Sequence, residues 1–352
     1  MIIAIHPDDF TTPRSAGRDA SAPLWTQHLT AAGHHVRQVD VTRADILNQL
    51  RGCDGFMWRH GHLPHHRQIA RRLLPVVERE MGIAVYPDQN TCWHYDDKVT
   101  QNYLLTAAGI PTPETWVWFD YDQAMDWIES AKFPLVIKLW NGTASQNVCL
   151  AKDLPAAKKW VHRLFKIGVA NMDEWSSPPV KTFYRRLRRA GSILLKGHFY
   201  NRPWELHKNY ILAQEFIEGN AFDTRVVVIG RRAFAKRRWN RPGDFRASGN
   251  SQVDNNPANI DMGAVHLAFR AAERLGTQSL ALDILRSGDE FLVSEISYTY
   301  PSFAQYACPG HWEMTPDGLM WTEGRMWPEE AQVEDFLVRL ESQHRCRGPV
   351  CV

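Results

Sequence analysis

The stretch SLALDILRSGDEFLVSEIS, residues 279–297, reads as a β-hairpin carrying acidic and hydroxyl side chains. With its turn near Ser287 to Asp289, Asp283 falls close to Glu295 across the two strands, and the period of two puts Ser297 on the face of Glu295. Two carboxylates and a hydroxyl make a hard oxygen set suited to Mg2+ carrying nucleotide phosphates. Upstream, FPLVIKLWNGTASQNV places Lys138 at the end of a buried strand and follows it with small polar residues around Gly142, Thr143 and Ser145. Such a loop presents backbone N–H groups to a phosphate while the lysine supplies charge. AQEFIEGNAFDTR adds an extended edge from Gln214 through Glu215 to Ile217, whose backbone can pair with an adenine, and then Asp223 as a ribose acceptor. Neither the glycine-lysine P-loop pattern nor the dinucleotide fingerprint occurs, so nucleotide binding must use another scaffold.

A second chemistry competes at the N-terminus. The apolar run MIIAI ends in His6-Pro7-Asp8-Asp9, and His and Asp are zinc ligands placed where open α/β folds put their sites. The string resembles the His-Pro-Asp-Asp-Glu signature of the zinc-dependent N-acetylglucosaminyl deacetylases. Here the fifth residue is Phe10, and the histidine-rich segment at 60, 62, 65 and 66 comes too early in the chain for that family's downstream motif. The competing reading makes residues 6–9 a strand-ending turn and the four histidines a polar loop before a helix.

The elements that must position these residues follow from periodicity. A strand at 2–6, a helix at about 22–32 stopped by Gly33, and strands at 35–41, in DGFMWR and in IAVYPD alternate with a helix that Pro75 must kink. That alternation implies a small parallel α/β domain over residues 1–90. DDKVTQNYLLTAAGIPTPETW then predicts a helix at about 96–108 capped by Gly109, and a second helix at 122–131 leads into FPLVIKLW. Residues 155–208 read as largely helical and basic, centred on VKTFYRRLRRAG. After them NYILAQEF, DTRVVVIG and RAFAKRR are strand-like, with Gly230-Arg231 as a two-residue turn. A helix through Met262, Val265, Phe269, Ala272 and Leu275 ends at Gly276, and a last helix spans about Pro328 to His344. The expected division is 1–90, 91–208 and 209–352.

Composition narrows the function classes. With 352 residues and 44% apolar content the chain can bury two or three domains' cores. The 41 Lys and Arg against 39 Asp and Glu leave a net charge of +2, which argues against bulk nucleic-acid or membrane attraction. Six cysteines without zinc-finger spacing suit reduced thiols in a cytoplasm, and only the terminal CRGPVC sets two close together. No run reads as a signal peptide or membrane span.

Taken in order, DDKVTQNYLLTAAGIPTPET, PLVIKLWNGT, QEFIEGNAFDTRVVVIG, DFRASGN and LALDILRSGDEFLVSEIS resemble the ATP-grasp superfamily over about residues 50 to 300, particularly its ribosomal-protein glutamate ligase and lysine-biosynthesis ligase branch. The resemblance implies an α/β and α+β architecture: an ATP-grasp fold behind an N-terminal Rossmann-like pre-grasp domain. It implies ATP and Mg2+ as cofactors, with Lys98 and Lys138 on the phosphates, Glu215 and Ile217 on adenine, Asp223 on ribose, and Asp283, Glu295 and Ser297 on magnesium. Serine stands at 297 where the family usually has asparagine, and Ser145 and Asn147 stand where glycine is common. The implied reaction activates a carboxylate as an acylphosphate, which an amine, or alternatively a thiol, then attacks. Arg246 in DFRASGN is the candidate to steady the acylphosphate, with Arg237 and Arg238 expected to converge near it, and Arg59 is a candidate for a substrate carboxylate. Small-molecule or peptide acids and amines would be the partners. The alternatives are a catalytically degenerate nucleotide-binding protein, the zinc deacetylase, and a polyanion-binding protein using the basic insert at 181–202.

Overall fold

The computed structural model describes residues 1–7, 21–142, 147–169, 172, 206–247 and 252–347. Asp8, Asp9, Thr143, Ser145, the basic insert and the CRGPVC cysteine pair, as a pair, therefore lie outside the description. The chain folds as two compact units, one of residues 1–95, 221–239 and 250–352, the other of 96–220 and 240–249. Among the described residues no helix is long and apolar enough to cross a membrane.

The first unit opens with the parallel sheet expected of alternating strands and helices. β1 (Ile2–Ile5), β2 (His35–Gln38), β3 (Gly55–Met57) and β4 (Ala84–Tyr86) lie in the order β2-β1-β3-β4. Both faces are covered, as parallel sheets require. Ala4, Phe56 and Val85 meet Leu73, Leu74 and Val77 on one side. Ile3, Ile5 and Met57 meet Trp25, Leu29, Phe336 and Leu340 on the other. The helix Pro64–Pro75 passes at the proline into a π turn over Val76–Glu80, because the pyrrolidine removes one backbone donor. The last helix, Pro328–Arg347, packs on this first sheet through Val333, Phe336 and Leu340.

The second unit holds β5 (Thr115–Trp118), β6 (Leu135–Lys138), β7 (Val148–Ala151) and β8 (Ile211–Glu215), antiparallel in the order β5-β8-β6-β7. Helices Tyr121–Ser130 and Leu154–His162 bury Ala124, Ile128, Ala157 and Val161 in a core with Leu135, Ile137 and Ile211.

The larger sheet belongs to the first unit. β9 (Phe222–Ile229), β10 (Arg232–Trp239), β11 (Val253–Asp254), β12 (Ser279–Ser287), β13 (Glu290–Ser297), β14 (Gly310–Thr315) and β15 (Gly318–Glu323) run β13-β12-β9-β10-β14-β15, with β11 on β10. Gly230-Arg231 and Gly288-Asp289 are two-residue turns with glycine first, at φ of +53° and +59°. Those angles suit glycine because a Cβ there is strained. The β14–β15 hairpin does not figure among the sequence expectations, since Trp312, Met314, Leu319 and Trp321 are interleaved with charged and turn residues.

Candidate functional site

The candidate residues divide between the two units. In the first, strand register builds a charged face on the large sheet. Lys236 on β10 pairs with Arg225 on β9, Arg225 with Asp283 on β12, and Asp283 with Glu295 on β13. Arg225 Nε and Nη2 donate to Asp283 Oδ1 and Oδ2 at 2.6 and 2.8 Å. Arg238 reaches Asp283 Oδ2 at 2.7 Å and donates through Nε to Asp223 Oδ1 at 2.7 Å. Burial opposes the charge on Asp283, but the two guanidinium groups outweigh it and hold the carboxyl well below the usual range. Burial and the neighbouring Asp283 charge push Asp223 up, against the pull of Arg238. Lys236, donating to Ala304 O at 2.8 Å, is pushed down to about 7 by burial. Ser297 Oγ donates to Thr299 O at 2.9 Å.

An ionised carboxylate offers about four lone-pair sites. Arg225 and Arg238 occupy three on Asp283, leaving one direction on Oδ1. Asp283, Glu295 and Ser297 thus fit an Mg2+ ion that takes one or two carboxylate contacts and draws its other oxygens from nucleotide phosphates and water. Among the described residues no group of three or more His, Cys, Asp or Glu side chains could hold a metal by itself.

Arg225, absent from the sequence expectations, is the residue of this charged face that pattern reading missed. Its signal was the alternation in FDTRVVV, which places Asp223 and Arg225 on one face two residues apart. The expected convergence of Arg237 and Arg238 is corrected for the same reason. As successive strand residues they point to opposite faces, and Arg237 stacks over Phe222 with its Cζ 4.6 Å from the ring centroid.

In the second unit, Asp97 caps helix Lys98–Ala107 by accepting from Thr100 N. Lys98 is buried, and its Nζ donates to Gly142 O at 2.9 Å while Gly142 N donates to Asp96 Oδ1 at 2.9 Å. The loop after Lys138 is therefore tied to the start of that helix. Lys138 itself is buried at the end of β6. Gln214 donates its side-chain amide to Thr115 Oγ1, and Glu215 N is committed to Glu114 O, so Glu215 can meet an adenine only through its carbonyl. Arg246 is gripped by Asp244 at 2.7 Å and donates to Val148 O at 3.2 Å.

His6 is a core residue, its Nδ1 within 3.1 Å of Val39 O and its ring edge-on to Trp58. His60 and His66 are also buried, which corrects their reading as a polar loop. His60 lies among Trp58, Tyr95 and Tyr298. Arg59 donates to Tyr300 O at 2.9 Å and lines a small cavity with Tyr86, Tyr298 and Tyr300.

A family profile described as the RimK-like ATP-grasp domain matches residues 95–168 and 199–302, about half of the chain. The chain belongs to this RimK-like ATP-grasp family. It is 24% identical over 244 residues to the alpha-aminoadipate--LysW ligase LysX of Saccharolobus solfataricus, covering 67% of this chain and 72% of that protein. It is likewise 24% identical over 283 residues to a probable alpha-L-glutamate ligase of Cellvibrio japonicus, covering 76% and 80%. The fold is similar to that of a RimK domain ATP-grasp protein from Sphaerobacter thermophilus DSM 20745, with a TM-score of 0.54, 18% identity and coverage of 96% and 100%. The RimK-like chain is an ATP-grasp ligase, an enzyme that joins a carboxylate to an amine and forms ADP and phosphate. That membership overturns the zinc-hydrolase reading.

Proposed function

We propose that this ligase activates an amino-acid carboxylate of the glutamate or α-aminoadipate kind and passes it to an amine on a small molecule or peptide. The two curated relatives are named for those acids, and both span most of their own length in the match. The observation that carries the proposal is the pairing of Asp283 with Glu295 on a face that also offers Ser297. In this reading Asp283, Glu295 and Ser297 hold magnesium, Lys98 and Lys138 contact the phosphates, the backbone from Gln214 through Glu215 to Ile217 meets adenine, and Asp223 uses its remaining lone pairs on ribose. Bound there, the magnesium nucleotide supplies the phosphoryl group. The lysines contribute charge at fixed positions and Arg246 steadies the acylphosphate, both by positioning and electrostatics rather than covalent chemistry. Arg237 is left out of that role because it faces away from the carboxylates. Residues 1–90 serve as the pre-grasp domain, 91–208 and 209–352 as the grasp subdomains, and the enzyme works in the cytoplasm.

Calorimetric titration of Mg-ADP into the wild type, Lys138→Ala and Asp283→Asn tests the nucleotide half. Micromolar binding that weakens about tenfold or more in both variants supports it. ADP release with glutamate or α-aminoadipate and a panel of amines tests the substrate half, and absence of binding to the wild type sinks the whole reading.

A further inference from the structure

Two guanidinium groups and two carboxylates interlock on the face just described. Arg225 and Arg238 both reach Asp283, and Arg238 also grips Asp223. Their charges cancel in pairs, and Asp223, Asp283 and Arg238 are all buried. A bare dication approaching this set meets a guanidinium beside both Asp283 and Asp223, and separating a buried ion pair exposes an uncompensated charge. Phosphate oxygens change that balance by bringing their own negative charge and their own ligands.

We propose that Arg225 and Arg238 are positioning residues that hold Asp283 and Asp223 against free divalent cations, so that this face accepts a metal ion only in company with phosphate oxygens. The proposal rests on the ligase reading for its metal, but its test does not require nucleotide. Manganese alone is the probe: the full chain is titrated with Mn2+ and the free-ion paramagnetic resonance signal is followed. The wild type should leave that signal unchanged up to the order of 100 µM. Arg225→Gln, at a side chain 19% exposed and therefore less enclosed than Arg238, should lose stability yet gain a site at least about tenfold tighter. Arg225→Lys keeps the charge and should behave as the wild type, which a merely structural role does not predict. Arg238→Gln is the second variant should the first fail to fold, folding being checked by thermal melting.

Micromolar Mn2+ binding by the wild type overturns the proposal, as does a folded glutamine variant that gains nothing. Adding ADP then separates the two readings. If manganese-ADP fails to bind while Arg225→Gln captures the bare metal, the arginine proposal stands and the ligase site falls. If manganese-ADP binds and bare Mn2+ binds the wild type equally well, the reverse holds.

Discussion

Asp283 on β12 stands opposite Glu295 on β13 because one residue, Ser294, is bulged out of the ladder beside them. Ser287 pairs with Glu290 and Ile284 with Val293, so a regular ladder would have set Ser294 against Asp283. The shift between Asp283 and Ile284 brings Glu295 there instead, and Ser294 Oγ donates to Asp283 O at 3.0 Å. Bulges of this kind re-aim side chains beside functional sites.

That geometry makes Glu295→Gln a cleaner probe of the metal than Asp283→Asn. Asp283 is buried between two arginines, so its replacement should cost about 3–5 kcal/mol of stability in addition to any loss of binding. Glu295 is only half-buried. Glu295→Gln should weaken Mg-ADP binding about tenfold with a nearly unchanged melting temperature, read by calorimetry and thermal denaturation. Equal loss of stability in both variants would refute the distinction.

Lys98 links a helix start to the loop after Lys138 through Gly142 O. Lys98→Met keeps the apolar stem and removes the charge and the bond. Nucleotide affinity should fall about tenfold or more, while Lys98→Arg should recover part of it. Unaltered ADP binding in Lys98→Met would remove Lys98 from the site.

Burial, followed by repulsion from His66, pushes His60 down to about 3. The folded chain then keeps this ring neutral to about pH 3, while the unfolded chain protonates it below about 6.5. The unfolded state thus binds the extra proton between those values, so stability rises with pH across the window and is lost as pH falls, by at most about 1.4 kcal/mol per pH unit from this group. His60→Phe, which keeps a ring among Trp58, Tyr95 and Tyr298, should flatten that acid limb. Urea unfolding of both proteins at pH 7, 5 and 4 checks it, and parallel pH slopes would contradict it.

Gly55 on β3 lies under the last helix. A Cβ added there would sit 2.8 Å from the Phe336 ring and 3.3 Å from Ile3 Cδ1. Gly55→Ala should destabilise the first unit by about 1–3 kcal/mol through overpacking. Gly33→Ala, with nothing near its Cβ but a positive φ of 81°, separates backbone strain from packing in the same melting experiment. Equal melting points for Gly55→Ala and wild type would place the helix elsewhere.

The sequence by itself determined the parallel first sheet, the glycine-first turns at 230 and 288, and the family, because periodicity, turn chemistry and ordered motifs are local properties of the chain. It placed Asp283, Glu295 and Lys98 on the right elements for the same reason. Tertiary structure alone decided three things. The Ser294 bulge is the device that brings Glu295, the partner expected from the sequence, opposite Asp283 where an unbroken ladder would have put Ser294, since strand register depends on the partner strand and not on the spacing within one. Packing sank His60 and His66, polar by type, into an aromatic core. The stacking of β9, β10 and β12 brought Arg225 and Arg238 onto two carboxylates as many as 58 residues away in the chain, a match of charges that no local pattern encodes.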